Sequence, residues 1–149
     1  MRDRIMKGQR ILVVAALLAL VAFNAWREGN GTGTTPETAG NRAIQAAYEN
    51  RQGDLQVQGE GVVDRVLPDD THGSRHQRFI VRLPGGLTVL VAHNIDLAPR
   101  VAGLAEGDRV SFFGEYEWNE RGGVVHWTHH DPGRRHVDGW IRHNGKTYQ

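Results

Sequence analysis

An alternation of apolar and polar residues, beginning at Leu55, most constrains how this chain can fold. Apolar side chains or glycine occupy every second position from Leu55 to Val63, and the same period recurs at 79–83, 87–91 and 110–118. A period of two places successive side chains on opposite faces of a strand, so each segment is expected to bury one face. The sequence therefore predicts a mostly β domain.

Turn residues separate the predicted strands. Pro84-Gly85-Gly86 follows the second strand, and Arg121-Gly122-Gly123 precedes a strand predicted from Val124 to His130. Asn144-Gly145 lies between two short strand segments, 139–143 and 146–148, and this dipeptide is typical of a tight hairpin. The chain is therefore expected to end in a β-hairpin.

A short helix is predicted from Asp96 to Leu104, between the third and fourth strands. Leu97, Val101 and Leu104 would face inward, and Pro99 falls in the first turns, where its missing N–H costs little. Five strands with a helix between the third and fourth are the plan of the OB-fold, a small Greek-key barrel. We therefore predict a small OB-like five-stranded barrel with one short helix, and a β-sandwich is the competing architecture.

The first 26 residues predict a signal or anchor helix. An apolar run of 13 residues, Ile11 to Phe23, follows a start with four cationic side chains and one carboxylate, as in a secretory signal. The run spans about 20 Å, which is short for a hydrocarbon core of about 30 Å. Cleavage after Ala22 would place Leu20 at position −3, where a signal peptidase site prefers a small residue. Trp26 instead suits the membrane interface of an anchor. A cleaved signal peptide and a membrane anchor are both left open.

Either alternative delivers the rest of the chain outside the cytoplasm, so we predict a periplasmic or extracytoplasmic protein, secreted or anchored to the inner membrane. Residues 27–40 are rich in glycine and threonine and predict a flexible linker. Residues 41–52 predict a short amphipathic helix, and residues 53–149 the OB-like β domain.

The charge and the cysteine content exclude several classes of function. The net charge of +1 includes +3 from the first ten residues, so the rest of the chain is slightly negative. General nucleic-acid binding is therefore not expected. The chain has no cysteine, which excludes disulfides, thiolate metal ligands and a cysteine nucleophile.

Histidines suggest a metal site near the C-terminus. All eight lie between positions 72 and 143, four of them in the stretch HWTHHDPGRRH. Imidazole and carboxylate ligands without thiolate suit zinc or copper. The predicted metal ligands are His126, His129, His136 and Asp131. Convergence requires the strand to end or bulge near Thr128, because His126 and His129 face opposite sides of an ideal strand. The alternative is that these are structural residues bonded to backbone groups.

Other candidates lie on strand faces and at strand ends. We interpret His93 and Glu115 as candidate catalytic acid–base residues. The candidate ligand-binding residues are Tyr116, Trp118, Trp127, Asp96 and His76. The preferred function is an exported binding module that grips an oligomeric or protein ligand outside the cytoplasm. The alternative is a metal-dependent hydrolase acting on an extracytoplasmic phosphodiester or glycan.

Four long motifs lie within residues 61–149: HQRFIV, AHNIDLA, GEYEWN and HWTHHDP. They resemble an uncharacterised bacterial family, a domain of unknown function in exported proteins. The resemblance implies a small extracytoplasmic OB-like domain, and it brings no activity or catalytic residue with it. A weaker resemblance, to staphylococcal-type nucleases, rests on Asp69-Asp70-Thr71 after a strand, where such barrels bind Ca²⁺.

Overall fold

The computed structural model describes residues 35–149, and one helix and seven strands lie in this range. They are α1 (Pro36–Glu49), β1 (Leu55–Asp70), β2 (His76–Arg82), β3 (Thr88–Asn94), β4 (Arg109–Glu117), β5 (Val124–His126), β6 (Trp140–His143) and β7 (Lys146–Tyr148). The predicted signal or anchor at 1–26 and the linker up to residue 34 lie outside the described residues. Within the described range, no helix has the length and apolar character needed to cross a membrane.

Helix α1 begins five residues before the predicted helix, so the predicted bounds 41–52 are wrong, and residues 36–40, predicted to be flexible linker, are helical. The Thr35 side chain accepts a hydrogen bond from the backbone N–H of Thr38 at 3.2 Å, and Pro36 occupies the first turn. Both features stabilise a helix start. The buried residues Ile44 and Ala47 then pack into the core.

The strands of residues 35–149 form a single seven-stranded sheet in the order β1-β2-β3-β5-β4-β6-β7. An additional antiparallel pairing of β1 with β4 closes five of the described strands, β1, β2, β3, β5 and β4, into a ring. This closure is possible because β1 is 16 residues long, so that Leu55–Val62 pairs with β4 and the following residues pair with β2. The mostly β prediction is therefore confirmed.

The core lies inside this ring, and its side chains come from the positions that the alternation predicts. Phe79, Val81, Val89, Val91 and Phe112 have no exposed surface. Burying each such side chain contributes roughly 1.5–3 kcal/mol to folding. The terminal hairpin is also confirmed: β6 pairs with β7 around Asn144-Gly145, which adopts positive φ at both positions.

The helix predicted from Asp96 to Leu104 is wrong, because this segment consists of turns, a bend and irregular backbone. The buried side chain of Gln77 accepts a hydrogen bond from the N–H of Val101 at 2.8 Å and donates one to its carbonyl at 3.1 Å. Both backbone groups of Val101 are therefore taken by a side chain from β2. Leu97, predicted to face inward, is 46% exposed.

Candidate functional site

Three potential metal ligands meet on the outer face of the ring, at the pairing of β4 with β5. Glu115 is the register partner of His126, and Glu117 follows two residues later on the same face of β4. Each of the three offers one ligand atom, and these atoms lie within 4.8 Å of one another. We call Glu115, Glu117 and His126 the carboxylate–histidine cluster.

The imidazole of His126 presents an unsatisfied nitrogen to this cluster. Its Nε2 lies 3.3 Å from Glu115 Oε1, within ion-pair range, but it is buried and forms no hydrogen bond. A buried polar atom without a partner is uncommon in proteins, because its desolvation is not compensated. His126 Nε2 is therefore suited to coordinate a metal ion.

The second oxygen of Glu115 is held by His136. His136 Nε2 forms a short hydrogen bond with Glu115 Oε2, and His136 Nδ1 lies 3.0 Å from the carbonyl of Val137. Burial lowers the pKa of His136, but the hydrogen bonds to Glu115 and Val137 outweigh it, so the pKa lies above its ordinary value. Both nitrogens face oxygen acceptors, which suits the protonated ring. His136 therefore fixes the orientation of the Glu115 carboxylate.

The loop that carries His136 is organised by Asp131. Its carboxylate accepts hydrogen bonds from the backbone N–H groups of Gly133, Arg135 and His136 at 2.7–2.8 Å. These bonds, led by that of Arg135, hold the pKa of Asp131 below its usual range. Asp131 is a predicted metal ligand, but in the structure its carboxylate bonds the backbone of the loop and stabilises the loop conformation.

The loop begins where β5 ends, one residue before Trp127. Trp127 has a positive φ of 52°, so the strand predicted as far as His130 stops at His126. The Trp127 ring stacks on His136 with ring centroids 4.3 Å apart and an angle of 9° between the planes. The stacked indole covers one face of the His136 ring, while the edge of the ring bonds Glu115 through Nε2.

A family model described as "Protein of unknown function (DUF3465)" matches residues 29–149 of the chain. The chain belongs to the DUF3465 family. The match includes every residue of the carboxylate–histidine cluster and the loop that supports it. A comparison of the chain with curated proteins finds no match.

The three-histidine convergence expected in this DUF3465 protein does not occur. His129 is only 3% exposed, and its Nδ1 lies 2.7 Å from the carbonyl of His130. The three-ligand group found among residues 35–149 contains His126 but neither His129 nor His136. Strand β5 does end near Thr128, as the convergence of the three histidines required. Beyond this end, however, the His129 side chain is buried and does not meet His126.

His93 lies inside the DUF3465 domain, away from solvent. It has no exposed surface, its Nε2 lies 3.0 Å from the carbonyl of Pro99, and its Nδ1 lies 2.9 Å from the Thr128 hydroxyl. Burial lowers its pKa to about 4. Nε2–H therefore donates to Pro99 and Nδ1 accepts from Thr128, a neutral and fully bonded arrangement. Its predicted role as an acid–base residue stays a prediction.

The predicted ligand-binding aromatics of the DUF3465 domain are mainly packing residues. Tyr116 is fully buried and donates its hydroxyl to the carbonyl of Gly122 at 3.1 Å, so it has no surface for a ligand to touch. Trp118 is partly buried and donates Nε1–H to the carbonyl of Tyr48 at 3.1 Å. The third predicted aromatic, Trp127, stacks on His136 beside the cluster.

The remaining predicted residues belong to the ends of β1, β2 and β3. Asp96 accepts hydrogen bonds from the backbone and the side chain of Arg75, each at 2.7 Å, and His76 Nδ1 lies 2.8 Å from the carbonyl of Ser74. The two carboxylates of the nuclease-like segment have separate partners: Asp69 pairs with Arg100, and Asp70 accepts a hydrogen bond from the backbone N–H of His72 at 3.0 Å.

Glu117 is not among the site residues predicted from the sequence. It stands two residues after Glu115 on a predicted strand, and this spacing already places both carboxylates on one face. The proximity of His126 could not be read in the same way, because it depends on the register between β4 and β5.

Proposed function

We propose that the DUF3465 domain is an OB-like binding module that holds a divalent zinc or copper ion at Glu115, Glu117 and His126. The observation that carries this proposal is the closeness of three ligand atoms, within 4.8 Å, around a buried His126 Nε2 that has no hydrogen bond. Metal–nitrogen and metal–oxygen bonds of about 2.0–2.2 Å place ligand atoms at such separations.

The composition of the cluster fits this chemistry. Two carboxylates balance the charge of a divalent cation, and imidazole favours zinc or copper over magnesium or calcium. His136 would serve as the outer partner that orients the Glu115 carboxylate. Three protein ligands leave a coordination position for a group of an external ligand, because zinc usually takes four. All three side chains are partly exposed, while the ligating atom His126 Nε2 is itself buried.

The closed ring supports the OB-like part of the proposal. Its order, β1-β2-β3-β5-β4 with β4 returning to β1, contains a parallel pairing of β3 with β5. A five-stranded ring with this mixture of pairings fits a small Greek-key barrel, a fold that commonly serves binding. The terminal hairpin then extends the sheet beyond the ring.

Copper electron paramagnetic resonance tests the ligand set directly. The full-length chain loaded with one Cu²⁺ should show hyperfine coupling to a single imidazole nitrogen, that of His126, and His126→Gln should abolish it. His72→Gln is the matched control, because the His72 side chain is 99% exposed and pairs with Asp70 outside the cluster. Coupling to three nitrogens would contradict the proposal and return the site to His126, His129 and His136.

Zinc titration by calorimetry supplies the affinities. One Zn²⁺ should bind per chain. His136→Ala removes the outer partner of Glu115 and should weaken zinc binding by roughly 10–100-fold. Glu117→Gln removes a ligand and should weaken zinc binding at least as much. Equal zinc affinity of the wild type, His126→Gln and Glu117→Gln would refute the metal site.

We also propose that the chain is exported, on the support of the basic start and the apolar run of residues 11–23. A reporter enzyme that works only outside the cytoplasm, fused after Gln149, should be active. The same fusion with two arginines inserted into the run should be inactive. Activity of a cytoplasm-only reporter in its place would refute export.

A further inference from the structure

A groove of about 280 Å³ lies on the outer face of the ring, where β1, β2 and β3 meet the turn between β4 and β5. Its floor is aliphatic: Ile80 and Leu90 are register partners across β2 and β3, and Leu67 on β1 lies opposite Arg78. The three aliphatic side chains are only partly buried. They therefore form an accessible apolar surface on the solvent side of the sheet, where polar residues are the rule.

Two arginines flank this floor. Arg78 Nε donates to the carbonyl of Pro68 at 3.0 Å, which restrains the guanidinium beside the groove. Arg121 is exposed and lies in the β4–β5 turn. Asn119 fixes that turn, because its Oδ1 accepts hydrogen bonds from the backbone N–H groups of Arg121 and Gly123 at 2.9 and 3.1 Å.

The charges around the groove are unbalanced. No carboxylate lines it among the described residues, and neither Arg78 nor Arg121 takes part in an ion pair within residues 35–149. Hydrogen bonds from the backbone and side chain of His72 hold the pKa of Asp70 below its ordinary value, and the nearby charge of Arg78 lowers it further. The groove therefore has two cationic groups and no acidic group on its wall.

We propose that this groove binds an amphiphilic anion, with an aliphatic body on Leu67, Ile80 and Leu90 and an oxyanion head held by Arg78 and Arg121. Small-ligand sites typically combine a predominantly apolar lining with a few polar groups that fix orientation. Arginine donors suit phosphate and carboxylate heads alike. Nucleobases and sugar rings stack on aromatic side chains, and no aromatic side chain lines the groove in the described part of the chain.

Calorimetric titration of the metal-free full-length chain, kept in excess chelator, tests head and body separately. Octyl phosphate should bind once per chain, and much more tightly than octanol, which lacks the head, or inorganic phosphate, which lacks the body. Octanoate, titrated in parallel, decides which oxyanion is preferred.

Variants assign the binding to the groove. Arg121→Gln should weaken octyl phosphate binding about tenfold or more, the usual scale for losing a hydrogen bond to a charged group. Leu90→Thr should also weaken octyl phosphate binding, because it makes the aliphatic floor of the groove more polar. Arg134→Gln is the control, since Arg134 is exposed and lies outside the groove. Urea unfolding should show that all three variants fold.

Two results would overturn the proposal. Equal affinity for octanol and octyl phosphate would show that the arginines bind no head group. Octyl phosphate affinity unchanged by both Arg121→Gln and Leu90→Thr, or no octyl phosphate binding at all, would show that the groove is not the site.

Discussion

Acidification should destabilise this domain, because His93 is buried in its neutral form. The ring has no exposed surface, and both of its nitrogens are engaged by Pro99 and Thr128. Protonation would place a charge in the core and a second N–H opposite the Thr128 hydroxyl. The burial of the ring is the main reason that the pKa falls from 6.5 to about 4.

The size and the sign of the effect follow from that difference. Below about pH 6.5 the unfolded chain binds a proton at His93, whereas the folded chain does not bind it until about pH 4. The free energy of unfolding should therefore fall as the pH drops through this window, by about 3 kcal/mol in total. His136 acts with the opposite sign, because its raised pKa adds stability that is lost as the pH rises through it.

Urea unfolding of the full-length chain at about pH 7.5 and about pH 4.5 measures this change. His93→Gln supplies the comparison: its amide cannot titrate, so its free energy of unfolding should fall by about 2–3 kcal/mol less than that of the wild type over the same interval. The subtraction cancels His136 and the carboxylates. The reasoning is refuted if both proteins lose equal stability on acidification.

Three further results are expected. Gly139→Ala should lower the free energy of unfolding by about 3 kcal/mol or more, because a Cβ there would lie 2.0 Å from the Trp127 carbonyl oxygen. Gly133→Ala in the same loop should lower it by less than about 1 kcal/mol, and urea unfolding compares the two variants. Gln77→Leu should cost about 3 kcal/mol in the same assay, because it leaves the N–H and carbonyl of Val101 unbonded. Zinc at about 100 times its dissociation constant should raise the free energy of unfolding by about 2.7 kcal/mol, and a chelator should reverse the gain; no gain would contradict a site formed only in the folded chain.

Local patterns predicted much of the sheet and little of the site. The alternation along β1 to β4 located four strands, and Asn144-Gly145 located the terminal hairpin. The start of α1 could also have been read from the sequence, because Thr35 and Pro36 form a recognisable helix start. The site was only partly foreseen: His126 and Glu115 were named as candidates, but the expected partners, His129 and Asp131, serve the core and the loop.

Local sequence patterns specify the face that each strand buries and the places where the chain turns. These properties depend on the φ and ψ preferences and the side-chain period of neighbouring residues, which a chain carries before it folds. The tertiary structure alone decided the rest. Gln77 occupies both backbone groups of Val101 and so prevents a helix that the local pattern favours, and the register of β4 with β5 places Glu115 opposite His126. These contacts join residues far apart in the chain, so their formation depends on the closure of the ring and not on any local preference.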